Sequence, residues 1–392
     1  MSSVATDLPE EKAPGAFSRL YRGQTRFDFV GKRRWWYLVS SIIILIGIIA
    51  ISVRGLNLGI DFKGGASWEV QGKNLTVQQV TAAVEADGLN QPVVTILGGR
   101  TIQVQANINT LSATQQASVS NKVVASLATL AHTNQNNVSQ STVGPTWGGD
   151  VTSRALWALA IFFITVVIYI SFRFEPKMAL AAFLAMIHDI LVTVGVYAIF
   201  GFQVTPDTVV AVLTILGYSL YDTVVVFDRV RDNVKNIGGG RLTYSEVVNL
   251  SMNQTLARSI NTSLVAILPV LAVLVVGAEI LGATTLLNYG VALFVGLLSG
   301  AYSSIFIAAP LLAMMKEREQ KWRAVRQRLD SRGVRSESMS PYEAARSKSS
   351  ASASSPSTVS GVIVPGSASA RAQAGLPPSD VPRPRKSKRR SR

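Results

Sequence analysis

Six long apolar runs, each nearly free of charge, set the pattern of this chain. They cover residues 35–53, 155–172, 178–200, 208–227, 259–278 and 285–312. As helices, runs of this length cross the roughly 30 Å of bilayer hydrocarbon. The stretch between the first two runs, residues 54–154, reads differently. Residues 66–71 and 101–106 alternate apolar and polar positions as half-buried strands do. Residues 93–97 and 138–143 are further strands, with Gly98 and Gly99 as a turn. Residues 76–86 and 112–130 have helical spacing, with Thr76 and Ser112 near their N-caps. The order β-α-β-β-α-β predicts a ferredoxin-like α+β domain. The expected fold is therefore a polytopic α-helical membrane protein: six transmembrane helices, with one external ferredoxin-like α+β domain between helices 1 and 2.

Composition agrees with membrane spans. Hydrophobic residues make up 48% of the 392 positions and charged residues only 16%, against about 25% charged in soluble domains. With no Cys, disulfides, thiol catalysis and Cys-ligated metals are excluded, and two His leave little for a His-built metal site. No cofactor and no metal is expected. The net charge is +15, and from Met314 onward 18 Lys/Arg face 6 Asp/Glu. Residues 313–392, rich in Ser, Ala and Pro, read as a disordered basic tail. Such a tail suits anionic lipid or RNA, or simply fixes topology.

Lys and Arg in the short flanks set the orientation. Arg22, Arg26, Lys32, Arg33 and Arg34 precede the first span, and Arg173 and Lys177 lie between the second and third. Arg229, Arg231, Lys235, Arg241 and Arg258 lie in the expected loop 228–258. The two opposite loops carry neither residue. The N-terminal segment 1–34 and the tail are thus expected in the cytoplasm, and residues 54–154 outside.

Polar groups inside spans are costly and are functional candidates. Asp189 lies mid-span beside His188. Asp222 shares a helix face with Tyr218 and Ser219, and Arg258 shares one with Asn261 and Thr262. If the fifth helix starts earlier, near Thr243, Gln254 joins that stripe and Arg258 lies deeper. Asp222 and Arg258 are either a structural ion pair between helices or a site where desolvation and a nearby cation contest the proton. Ala292, Gly296, Gly300 and Ser304 recur every four residues, a small-residue face for helix packing; Gly195 and Gly217 offer the same. The P-loop pattern, H-E-x-x-H and any nucleophile–base arrangement are missing from the sequence, so no enzyme activity is expected.

Several motifs together resemble the SecF family of bacterial protein-export membrane subunits. They are Gly59-Ile60-Asp61-Phe62-Lys63-Gly64-Gly65, Val143-Gly144-Pro145, His188-Asp189, the run from Gly217 to Arg229, the run from Asn253 to Ser263, and Tyr302-Ser303-Ser304-Ile305-Phe306. The resemblance spans roughly residues 25 to 315. It implies one six-span half of a resistance-nodulation-division type transporter, paired with SecD and working with the SecYEG channel and the SecA motor. It further implies proton-driven late translocation and release of unfolded exported polypeptide. Asp222 and Arg258 match the family's proton-path positions, which an Asp of SecD would complete, and Asp61, Gly64 and Gly65 match its turn motif. Tyr221 departs from the family's usual Asn before the span-four Asp. Two rivals remain: a subunit that stabilises the channel complex without ion coupling, and half of a small-molecule or lipid exporter.

Overall fold

The computed structural model describes residues 25–331, except residues 26, 98–99, 237–241 and 281–282. Arg22, Arg26, the Gly98-Gly99 turn, Arg241 and the tail beyond Ser331 lie outside the described residues. Helix α1, Arg33–Arg54, leads through Gly55 into a four-residue turn of helix, α2, Ile60–Lys63. The α+β domain follows as β1 Gly65–Gln71, α3 Val77–Ala86, β2 Val93–Leu97, β3 Thr101–Ala106, α4 Ala113–Leu130 and β4 Ser139–Val143. All pairings are antiparallel and the strand order is β2-β3-β1-β4, the ferredoxin-like arrangement.

Its local signals are the ones physics asks for. Thr76 and Ser112 each accept the backbone N–H three residues on, and Gln79 and Gln115 answer, closing two capping boxes. On one sheet face Ala66, Trp68, Val70, Ile102, Val104 and Ala106 are buried against Val80, Val84, Val123 and Leu127. The other face carries Ser67, Glu69, Gln103, Gln105, Ser139 and Ser141 around a cavity of about 230 Å³ whose opposite wall includes Gln203, Thr205 and Asn288. Gln105 and Gln203 hydrogen-bond across it.

Five helical segments complete the bundle: α5 Pro145–Arg173, α6 Pro176–Phe200, α7 Pro206–Asn236, α8 Tyr244–Ala272 and α9 Thr284–Ser303. Proline opens α5, α6 and α7, where its missing N–H costs nothing. Pro269 inside α8 interrupts the ladder, and Val273–Ile280 winds on as π-helix. After α9 a π-turn at Ser304–Ala308 precedes Pro310 and leads into α10, Ala309–Glu317. Among the described residues, six helices are long and apolar enough to cross a membrane. Helices α6, α7 and α9–α10 form the interior. Helices α1, α5 and α8 expose apolar faces such as Leu38, Ile42, Leu156, Ile161, Leu264 and Val265, which suits lipid or another membrane helix.

Two expectations need correction. The fifth helix starts at Tyr244, not at residue 259, because Thr243 and Glu246 form a capping box; much of the expected loop 228–258 is thus helix on both sides of the connection. The tail is not disordered from residue 313. Helix α11, Gln320–Ser331, packs Trp322 edge-on against Tyr244 at 5.0 Å, and Trp322 and Leu329, seven residues apart on one face, are buried. Lys316 pairs with Glu175 and Glu319, and Lys177 pairs with Glu319 at 3.0 Å, fastening this end of the chain to the start of α6. The segment before α1 is held as well. Asn249 accepts the Phe29 and Val30 N–H groups at 3.1 and 3.0 Å, and Asn253 binds both backbone groups of Phe27.

Candidate functional site

Among the described residues, two carboxylates are buried in the helix interior, and their surroundings differ sharply. Asp189 of α6 is 1% exposed. Ser219 of α7 and Ser303 of α9 donate to its Oδ2 at 2.7 and 2.8 Å, and Ser299 of α9 donates to Oδ1 at 2.7 Å. His188 Nδ1 lies 3.1 Å from the same Oδ1. One carboxylate therefore ties three spans together. Asp222 of α7 is 4% exposed. The Ser259 hydroxyl of α8 donates to its Oδ1 at 2.7 Å, while Oδ2 has no hydrogen-bond partner among the described residues. An unsatisfied buried carboxylate oxygen is expensive in a bilayer.

Arg258 is exposed on α8 and donates to the Tyr221 hydroxyl at 3.1 Å rather than to Asp222. No Asp222–Arg258 ion pair forms among the described residues; the guanidinium donates to the Tyr221 phenol instead. Tyr221 is 50% exposed, so this pair faces outward from the chain. Ser219, expected beside Asp222, turns instead to Asp189. Tyr218 is half-buried, and its hydroxyl has no hydrogen-bond partner among the described residues. Thr262 bonds back to the Arg258 and Ser259 carbonyls, and Asn261 is exposed on the same helix. With the helix starting at Tyr244, Gln254 lies on the Arg258 stripe facing α7. It accepts from Arg229 and Asn233 of α7 at 2.5 and 2.8 Å, beside the Arg173–Asp228–Arg231 cluster.

The small-residue face has a clear use. A Cβ at Gly296 would lie 2.2 Å from Ile215 Cδ1, and one at Gly300 would lie 3.0 Å from Ser219 Cβ. Ser304 donates to the Gly300 carbonyl at 2.8 Å and meets the Thr223 hydroxyl at 3.0 Å. Close approach of α9 to α7 is what brings Ser299 and Ser303 to Asp189. Gly195 touches Gly47 of α1, whereas a Cβ at Gly217 would meet nothing within 4 Å.

At the domain end of the bundle, Gly64 and Gly65 have φ of 74° and 137°, and a Cβ at Gly65 would lie 2.6 Å from the Ala106 carbonyl oxygen. Both positions need glycine. Burial pushes the half-buried Asp61 carboxyl up; its own backbone N–H opposes this and Asp207 adds to it. With the folded value raised, the fold favours the neutral acid. That contribution is complete below the ordinary Asp value of about 3.9 and is lost as pH rises through the folded value. Asp61→Asn is therefore expected to raise the thermal midpoint at neutral pH, with the gain vanishing in acid; melting the two proteins across pH checks this. A groove of about 790 Å³ on the α+β domain, lined by Lys73, Arg100 and His132 among others, shares no residue with the carboxylate site.

Sequence reasoning found both carboxylates but missed Ser259, Ser299 and Ser303, and missed Tyr221 as the partner of Arg258. Ser299 and Ser303 are four residues apart, a spacing that reads as polar glue as readily as packing.

Fold and site define a multi-pass membrane protein with a polar bundle interior and a ferredoxin-like domain between its first two spans. Residues 122–318 match the family described as protein export membrane protein SecD/SecF, C-terminal, and residues 49–73 match the SecD/SecF GG motif. The protein translocase subunit SecF of Streptomyces coelicolor is 45% identical over 316 residues, covering 80% of this chain and 83% of that one. Its counterpart in Mycobacterium tuberculosis is 42% identical over 309 residues, covering 77% and 70%. The crystal structure of SecDF, a translocon-associated membrane protein from Thermus thermophilus, superposes with a TM-score of 0.67 at 31% identity. This chain is covered to 76% there and spans about two fifths of the SecDF chain, 39%. The chain belongs to the SecD/SecF family, in which its relatives are translocase subunits, and its role lies in protein export.

Proposed function

We propose that the chain is the accessory subunit of the Sec translocase that, paired with SecD beside the SecYEG channel and the SecA motor, uses the proton motive force to promote late translocation and release of exported polypeptides. The observation that carries this reading is Asp222: buried, held by one hydroxyl, with its second oxygen unpartnered among the described residues. Such a carboxyl can exchange a proton without first breaking a closed network. The outward-facing Tyr221–Arg258 pair on the adjoining surface offers a cation to a carboxylate from a neighbouring membrane subunit.

Charge placement supports an orientation with both termini in the cytoplasm and the α+β domain outside. There the edge strands β2 and β4 offer free backbone groups to an extended exported chain. Helix repacking around Asp222 would reach that domain through the strap joining Asn57, Leu58 and Gly59 to Val204.

The test uses inverted membrane vesicles with export arrested part-way and ATP exhausted. Vesicles holding this chain and its SecD are expected to complete export when a proton gradient is imposed, and vesicles depleted of the chain are not. Equal completion with and without the gradient in replete vesicles, at equal channel abundance, would leave only a stabilising role.

A further inference from the structure

His188 has no task in the reading built on Asp222. Its ring is 7% exposed, its Nδ1 faces Asp189, and its Nε2 has no hydrogen-bond partner among the described residues. A buried ring nitrogen left unpaired carries a desolvation penalty. The ring stacks at 6.1 Å on Tyr302 of α9, whose hydroxyl takes a hydrogen bond from Ser40 of α1 at 3.2 Å and donates to the Trp36 carbonyl at 3.0 Å. On the far side, Asp189 reaches Ser219, which stands three residues before Asp222 on α7, one turn away. The titratable groups gathered here are thus His188 and Asp189 from α6, Tyr302 from α9 and, a turn further along α7, Asp222. Helix α1 contributes the Ser40 hydroxyl, and no Lys or Arg pairs with Asp189 among the described residues.

We propose that His188 and Asp189 form a second proton-binding station, linked through Ser219 to the helix turn that carries Asp222. It rests on the ion-coupled reading above. With three hydroxyls donating to Asp189, the network assigns the Nδ1 proton to the bond with Oδ1 and leaves Nε2 bare. An arriving proton binds the Nε2 lone pair. The Nδ1 proton then passes to Asp189 Oδ1, leaving a neutral imidazole in the other tautomer and a neutral carboxylic acid. Reversal releases that proton and restores the starting state, so the pair takes up one proton on loading and gives up one on unloading. The π-turn at Ser304–Ala308, directly after Ser303, gives α9 a place to shift as its hydroxyls exchange partners.

The chain has only two His, His132 and His188, which makes a direct measurement clean. The full chain with its SecD, labelled with ¹⁵N-histidine in lipid, gives two imidazole signals, and His132→Gln assigns them. The His188 signal is expected to show the tautomer protonated at Nδ1 in the resting protein, and a different tautomer balance in Asp189→Asn and in the milder Ser299→Ala. In vesicles, His188→Gln is expected to slow gradient-driven completion about tenfold or more while co-purifying with SecD as wild type does. A His188 signal protonated at Nε2 in the resting protein, or a tautomer balance unchanged in Asp189→Asn, overturns the station, as does wild-type completion by His188→Gln. Asp222→Asn is run alongside: normal completion by that variant sinks the Asp222 reading, and the His188 signal judges the station by itself.

Discussion

Asp222→Asn is expected to slow gradient-driven export about fiftyfold per 100 mV while leaving the protein assembled. The figure follows from one charge, worth about 2.3 kcal/mol in a potential of 100 mV, converted to a rate ratio. Asn keeps the size of Asp and an oxygen for the Ser259 hydroxyl, so the α7–α8 contact at 2.7 Å survives. What it loses is the exchangeable proton. Export driven by ATP alone should proceed at the wild-type rate, and the amount of chain recovered with SecD should be unchanged. Arg258→Ala provides the contrast. It removes an exposed cation whose hydrogen bond goes to Tyr221, so it should weaken coupling without unsettling the bundle. A purely structural subunit would show the opposite: Asp222→Asn would lower complex abundance and leave the gradient dependence of the surviving complexes intact.

The second large effect concerns the α+β domain. Trp68 is fully buried at the centre of β1, opposite Val104, and its indole N–H donates to Ser120 of α4 at 3.1 Å. Trp68→Ala leaves a cavity under both helices and an unpaired buried hydroxyl, a loss of about 3–5 kcal/mol. A domain of this size holds about 5–15 kcal/mol in all, so the variant lies near unfolding. Amide exchange on the membrane-embedded chain should accelerate across β1 and β3 together, with α6 and α7 unaffected. Trp68→Phe keeps one aromatic ring but loses the hydrogen bond, about 1 kcal/mol, and part of the buried indole, so its effect is expected to fall between wild type and Trp68→Ala. Unchanged exchange in Trp68→Ala would mean the sheet core is not organised around this side chain.

Legibility in the sequence followed the range of the forces involved. The strands, the capping boxes at Thr76 and Ser112, and the spans are set by neighbours within a few residues, and periodicity or hydropathy exposes them. Thr243 and Glu246 carry the same local signature. The polar run Asn249, Asn253, Gln254 and Arg258 hid it, because those side chains look like loop until their partners are known. Those partners are remote: Asn249 reaches Phe29 across 220 positions and Ser303 reaches Asp189 across 114. Ser219 shows the limit of face arguments. Helical spacing places it on the side of Asp222, yet the close approach of α9 at Gly300 and the facing α6 decide which acid it serves. Helix α11 was missed for the opposite reason. Its composition is strongly polar, and two apolar contacts, Trp322 and Leu329, suffice to dock it.

The clasp between the segment before α1 and the asparagines of α8 also sets an order of biogenesis. Phe29 emerges from the ribosome 220 residues before Asn249. At about 5–20 residues per second, that is a wait of about ten to forty seconds. During that interval the first helix stands in the bilayer without this lock, which closes only when the fifth helix arrives.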